Sequence, residues 1–409
     1  MRTLSCGFLA ASLIMTAWAA RGGDDVVRHD APRPESRGGA SHSMDGTVPV
    51  GRLLEALRAV GPNGAGHRDA SRAWQAVARA DAGQLPVMLS ALDDAGPLAA
   101  NWIRSAVDAV AERQLQQGRA LPAAELEEFV LDKRHAARAR RLAFEWLSRA
   151  SPSARERLIG AMLDDPSIEL SREAVARLME QAALAKRSGK TGEAIEAYRR
   201  ALEASRDLDQ VSECSARLRE LGQPADPARQ LGYVTHWRLI GPFDNTGRRG
   251  YSTAYPPEQE VRFEAAYQGK QGRPAKDAMV RWVDFTSKDD LGMVDFQKPF
   301  GEQREVVGYA ATEFYCRQRQ EVEVRMSSEN ALKLWINGRL TAECPVYHMG
   351  NEPDQYVLRT VLETGRNLIL AKVCQNEQTQ DWARRWDFRL RVCDAEGKAV
   401  LSTVPPKSE

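Results

Sequence analysis

The sequence lacks the common catalytic signatures. No Gly-x-Ser-x-Gly elbow, His-Glu-x-x-His helix or Gly-x4-Gly-Lys-Ser/Thr loop occurs anywhere in its 409 residues. It also lacks Cys-x-x-Cys and any paired Cys/His spacing, which removes the usual structural zinc site. Charge of one sign is missing as well. The 57 basic and 56 acidic residues leave a formal charge of +1, so no broad field draws the chain to nucleic acid or to an anionic membrane. Long apolar runs are absent beyond the first twenty residues. That stretch, MRTLSCGFLAASLIMTAWAA, has basic Arg2, an apolar run from Leu4 to Trp18 and small-residue spacing ending at Ala19. The run is shorter than the roughly 20 residues of a spanning helix, and it reads as a secretory signal peptide over 1–20. Export to the periplasm or the outside follows as the expected localisation, peripheral to a membrane at most.

Cysteine is sparse, with six in all. Removal of a leader takes Cys6 and leaves Cys214, Cys316, Cys344, Cys374 and Cys393, which cannot all pair within one monomer. An oxidising compartment permits one disulfide among the last four. Strand-borne cysteines also serve as small buried hydrophobes, and both readings stand.

What is present divides the chain by hydrophobic period. With 43% hydrophobic and 28% charged residues there is material for two or three domains. Residues 21–50 are rich in Gly, Pro, Ser and charge and read as a disordered linker. From 51 to 222 the apolar spacing is helical: Leu53, Leu54, Leu57 and Val60 share one face, and Trp102, Ile103, Ala106, Val107 and Val110 another. A second linker is expected over 223–231, where QPADP ends the helical regime. Beyond it the period falls to two. Ten runs from YVTHWRLIGPF to WDFRLRVC read as strands separated by Gly, Pro, Asn and Asp turns. In FRLRV, Phe388, Leu390 and Val392 point inward and Arg389 and Arg391 face water; Val322, Val324 and Met326 repeat the design with Glu321, Glu323 and Arg325 outside. Asn337-Gly338 marks a two-residue hairpin, because both residues tolerate positive φ. The fold class expected is therefore multidomain, α then β: an α-solenoid-like helical array followed by an antiparallel jelly-roll β-sandwich over 232–400, with a flexible tail at 401–409.

Three resemblances accompany this reading. DKRHAARARRLAFEWLSRA and DDPSIELSREAVARLMEQA resemble HEAT repeats, with Asp165, Pro166, Arg172 and Val175 matching in the second segment. That resemblance implies an Asp capping a turn, a Pro opening a helix and an Arg bonding neighbouring turns. Residues 175–206 look like one tetratricopeptide unit, with Ala182, Ala194, Ala201 and Tyr198 letting two helices approach. LKLWINGRL, the loop carrying Tyr347, VLETGRNLILAKV and WDFRLRV resemble the galactose-binding-like sandwiches of secreted bacterial proteins. WRLIGPFDN, YPPE and RWVDF are similar to the opening of such domains in planctomycete-like bacteria. In those families sugar binding is common.

Sandwich domains place chemistry on loops, since their strands are committed to packing. Two loops carry aromatic faces that suit a pyranose together with amides and carboxylates that suit its hydroxyls. The candidate ligand-binding residues are Tyr347, His348, Asn351 and Asp354 in the first and Asp381, Trp382 and Arg384 in the second. Against this, a histidine such as His348 is more often a hydrogen-bonded loop residue than a ligand, and Trp386 begins a strand as a core or edge residue. Asp284, Asp289, Asp290 and Asp295 offer oxygens to a structural calcium, but their spacing matches no loop motif and a solvated turn accounts for them. No cofactor or catalytic residue is expected. The functional expectation is an exported non-catalytic binding or scaffold protein, whose sandwich takes carbohydrate or a cell-envelope protein and no nucleic acid. Its alternatives are a protein-interaction scaffold with a purely structural sandwich, and an unrecognised glycan-active enzyme.

Overall fold

The computed structural model describes residues 48–271 and 279–403. The expected leader, most of the first linker and the last six residues lie outside that range. Helices come first: α1 Val50–Arg58, α2 His67–Val77, α3 Leu85–Ser90, α4 Pro97–Gln116, α5 Ala123–Leu131, α6 Ala137–Ala150, α7 Pro152–Ile159, α8 Ile168–Arg187, α9 Thr191–Ala204, α10 Leu208–Glu220 and α11 Pro227–Leu231. Pro occupies the first turn of α3, α4, α7 and α11, where its missing N–H costs nothing. One apolar core runs from Leu54 to Ala174 and includes Ile103, Val107, Phe129, Leu142, Trp146 and Leu158. Ala182, Ala194 and Ala201 are fully buried where α8 meets α9, with Tyr198 beside them.

Arginines tie the helical turns together. Arg58 bonds the Ala91 carbonyl, Arg113 those of Ala78 and Ala80, and Arg138 those of Leu92 and Ala95. Asp165 is bound through both oxygens by Arg140 on α6, at 2.9 and 2.5 Å. Arg172 instead reaches forward to Asp209 and Asp207 beside α10.

The β region follows: β1 His236–Asp244, β2 Ala266–Gln268, β3 Met279–Arg281, β4 Val283–Thr286, β5 Val294–Asp295, β6 Val306–Cys316, β7 Gln320–Ser327, β8 Ala331–Ile336, β9 Arg339–Cys344, β10 Tyr356–Leu362, β11 Gly365–Gln375 and β12 Asp387–Cys393, with short helices α12 Pro256–Gln259 and α13 Gln297–Phe300. Six strands pair in the order β4-β1-β6-β11-β8-β9 and four in the order β10-β7-β12-β5, every pair antiparallel. The two sheets share one core. Leu239, Ala310, Phe314, Leu334, Ile369 and Val373 from the larger meet Val322, Val324, Met326, Phe388, Leu390 and Val392 from the smaller. Asn337 and Gly338 take φ of 51° and 78° between β8 and β9. Asn337 also exchanges hydrogen bonds with β11, donating to Asn367 Oδ1 and accepting from Leu368 N at 2.9 Å each.

Several expectations need correction. The run EVRFEAAY forms strand only over Ala266–Gln268, because its first residues cross the outer face of the large sheet, where Val261 and Phe263 pack. MVRWVDF breaks into β3 and β4, which pair with different strands. The segment 223–231 is no simple linker: Asp226 caps α11 by accepting from Arg229 N at 2.9 Å. Three residues of the expected tail are described, and Ser402 and Thr403 bond Tyr315 on β6. Glu323, Arg389 and Arg391 were expected to face water and are buried. The smaller sheet's outer face is covered by residues from the α11 end and the loop before β10, so its charges pair under them. The five described cysteines are buried free thiols, with no disulfide among them.

Candidate functional site

Antiparallel register sets one end of the large sheet. Asp244 and Gln375 both pair with Val306, Cys374 with Ala331, and Leu332 with Cys344. The chain therefore leaves β1, β9 and β11 on the same side, and three loops rise there to form a crown. Asn245, fully buried, is its base. Its amide donates to Gln375 O at 2.8 Å and to the Tyr347 hydroxyl at 3.2 Å. Burial lifts the Tyr347 hydroxyl pKa to about 12, keeping it a neutral donor and acceptor. The Arg248 guanidinium lies 5.2 Å from the centre of the Tyr347 ring and pairs with Glu377 at 2.5 Å. Hydrogen bonding from Arg248 holds the Glu377 carboxyl below its ordinary value.

His348 links two of the loops. The Asn376 amide donates to His348 Nε2 at 3.0 Å, with its orientation set by Gln378 N donating to its Oδ1 at 3.2 Å. The ring proton therefore sits on Nδ1, which is enclosed and has no partner among the described residues. The Trp382 indole stands edge-to-face against the imidazole, centroids 4.9 Å apart, and is itself 58% exposed. His348 takes φ of 60° and Asp354 the same, conformations that non-glycine residues seldom adopt.

The crown gathers Tyr347, His348 and Trp382 and disperses the other candidates. Asn351 donates to the Asp387 carboxylate at 3.0 Å, and its carbonyl accepts from Arg389. Asp354 is a structural anion under the smaller sheet, bound by Arg391 and Arg325. Asp381 and Arg384 pair with each other at 2.7 Å on the loop shoulder, and among the described residues no hydrogen bond or ion pair joins them to His348 or Tyr347. The residues missed are Asn245, Arg248, Asn376 and Glu377. Asn245 lay inside the quoted WRLIGPFDN, and only strand register shows it to lie below Tyr347. Asp387 was missed too. It is buried, and desolvation raises its carboxyl pKa to about 7.

The four candidate calcium aspartates diverge. Asp284 pairs with Arg238 and Asp290 with Arg219, while Asp289 and Asp295 accept backbone N–H groups of their own turns. A groove of about 800 Å³ lies elsewhere, along α4, α6 and α8. Its charges are spent on one another, Arg104 on Glu145, Arg141 on Glu173 and Arg149 on Glu112.

No family model and no curated protein matches the sequence. Among solved structures, a β-glucosidase from Kluyveromyces marxianus in complex with glucose is similar at 9% identity and a TM-score of 0.24, over 44% of this chain and 21% of that one. A GH31 α-xylosidase from Xanthomonas citri is similar at 10% identity and a TM-score of 0.18, over 39% and 16%. The chain thus matches about a fifth of the length of those proteins, and at such scores the likeness assigns no activity. The expectation of an exported non-catalytic binder or scaffold finds no support there, since the chains found similar are glycosidases.

Proposed function

We propose that the crown is where this protein takes its ligand, a molecule presenting a flat or ring-shaped face with hydrogen-bonding substituents. The observation that carries this reading is the exposed Trp382 indole, braced edge-on by a histidine that Asn376 holds from the other side. A stacking face with a fixed tilt favours a ring, and the Arg248–Glu377 pair and Asn376 amide beside it offer donors and acceptors. The uncommon backbone at His348 and its enclosed, unpartnered Nδ1 add weight, because strain and unsatisfied polar atoms concentrate at functional loops.

Export belongs to the same proposal, resting on residues 1–20. So do a repeat reading of the helices, supported by the arginine-to-turn bonds, and a jelly-roll reading of the sheets, supported by their shared core. The test is a titration of indole fluorescence with oligosaccharides and with ring-bearing envelope peptides, the partner classes expected from the sequence. Wild type gives a saturable change with one of them, and Trp382→Ala abolishes it without moving the melting temperature. Binding that survives both Trp382→Ala and His348→Ala sinks the reading. Amino-terminal sequencing of the mature chain tests export.

A further inference from the structure

We infer that a second site, in the cleft between the α9–α11 corner and the segment after β12, binds an oxyanion: the phosphate or carboxylate group of a small molecule. The cleft has a volume of about 460 Å³ and is lined by Arg199, Arg206, Arg229 and Lys398. Three carboxylates, those of Asp164, Glu203 and Asp226, also line it, which leaves one cation in excess. Asp226 is partly committed, since its Oδ1 accepts the Arg229 N–H at 2.9 Å.

Arg206 carries the argument. Its Nη1 is enclosed and has no acceptor among the described residues. Three carbonyls close to it in sequence already accept from other groups. Ser205 bonds Ala201 O through its hydroxyl at 2.7 Å, while Gln230 Nε2 donates to Glu203 O at 3.1 Å and to Ser205 O at 3.0 Å. A buried guanidinium N–H left without an acceptor is costly, and a planar fork of donors matches the two oxygens of a carboxylate or phosphate. Arg229 and Lys398 contribute only backbone groups to hydrogen bonds among the described residues, so their side-chain charges are free to join Arg206 on one anion. Lys398 follows the strands and Arg206 joins two helices, so an anion held between them would bridge the halves of the molecule.

The experiment is a set of thermal melts of the whole protein in sodium phosphate and in sodium succinate, each against sodium chloride at equal ionic strength. The expected result is a saturable rise in melting temperature with one oxyanion and none with chloride; which anion acts separates the phosphate source from the carboxylate one. Arg206→Met removes the rise, and without anion it is at least as stable as wild type, because it also removes the unsatisfied N–H. Lys398→Ala, at an exposed position, folds in any case and raises the half-saturating anion concentration several-fold. Equal shifts in wild type, Arg206→Met and Lys398→Ala, or no shift beyond the chloride control, overturn the proposal.

Discussion

Arg391 on β12 grips Asp354 through two nitrogens, Nε at 2.7 Å and Nη2 on the other oxygen, and Arg325 on β7 joins the same carboxylate at 3.0 Å. The Arg391 Nη1 also donates to Leu231 O at 3.2 Å. One carboxylate thus locks the loop before β10, the smaller sheet and the end of α11 together. Burial alone would raise the Asp354 carboxyl, but the hydrogen bonds from Arg391 and Arg325 outweigh it and hold the pKa below 3.8. A carboxyl depressed on folding stabilises the protein above its unfolded pKa, and the contribution is lost as pH falls through the folded value. Asp354→Ala leaves Arg391 without a carboxylate and Arg325 with Glu323 as its remaining anion. It should cost about 3–5 kcal/mol in urea unfolding at pH 7, and the loss should shrink as pH falls below the ordinary value of 3.8. A cost under about 1 kcal/mol would show the pair to be solvated.

Asp354 also shows where sequence reading reached its limit. Alternation along β7 and β12 placed Val322, Val324, Met326, Phe388, Leu390 and Val392 correctly in the core, because a period of two follows from strand geometry alone. The same alternation sent Arg389 and Arg391 to water. Which face of a sheet another part of the chain will cover is a tertiary matter that no local period encodes. The crown divides the same way. Tyr347, His348 and Trp382 were found because aromatic residues in polar loops stand out, whereas Asn245 and Arg248 meet Tyr347 only through the pairing of β1 with β6 and β6 with β11. Asp381 was drawn in by its sequence neighbour Trp382, yet it turns away to Arg384.

Asp387 should make stability fall as pH rises. Desolvation lifts its pKa from 3.8 to about 7, so the folded state binds a proton that the unfolded state has released, and stability is lost progressively between about pH 4 and pH 7. Asp387→Asn keeps the shape and cannot ionise. At about 1.4 kcal/mol per unit of pKa, it should stabilise the protein at pH 8 by roughly 2–4 kcal/mol and flatten the stability profile over that interval. Urea midpoints from pH 4 to 8 measure this, and a variant parallel to wild type across the interval would show that Asp387 ionises freely.

Lys372 is fully buried on the outer face of the large sheet. Its ammonium donates to Tyr251 O at 3.2 Å, Thr253 O at 2.8 Å and Glu258 Oε1 at 2.7 Å, and the Tyr309 hydroxyl donates to the same carboxylate oxygen. All three ammonium protons are spent, so the pair pins the segment around α12 to β11. Lys372→Met strands the Glu258 carboxylate and two carbonyls, and should cost about 3–5 kcal/mol. Adding Glu258→Leu removes the stranded charge and should recover part of the loss, since an apolar pair of similar volume often equals a buried ion pair. A double variant no more stable than Lys372→Met alone would place the cost in the two carbonyls.

The buried thiols yield the last expectation. Burial raises Cys214 and Cys374 to about 12 and Cys344 to about 11, and Cys316 and Cys393 are buried as well. Only the thiolate attacks a disulfide reagent, so at pH 8 at most about one in a thousand of these three thiols is reactive even before access is considered. An aromatic disulfide reagent should label none of the five within an hour in the native protein and all five in denaturant. Because the thiols are single rather than paired, added reductant should leave the melting temperature unchanged. A melting temperature that drops in reductant would mean that at least two of Cys316, Cys344, Cys374 and Cys393 are joined in the protein, and the packing of β6, β9, β11 and β12 around them would have to differ accordingly.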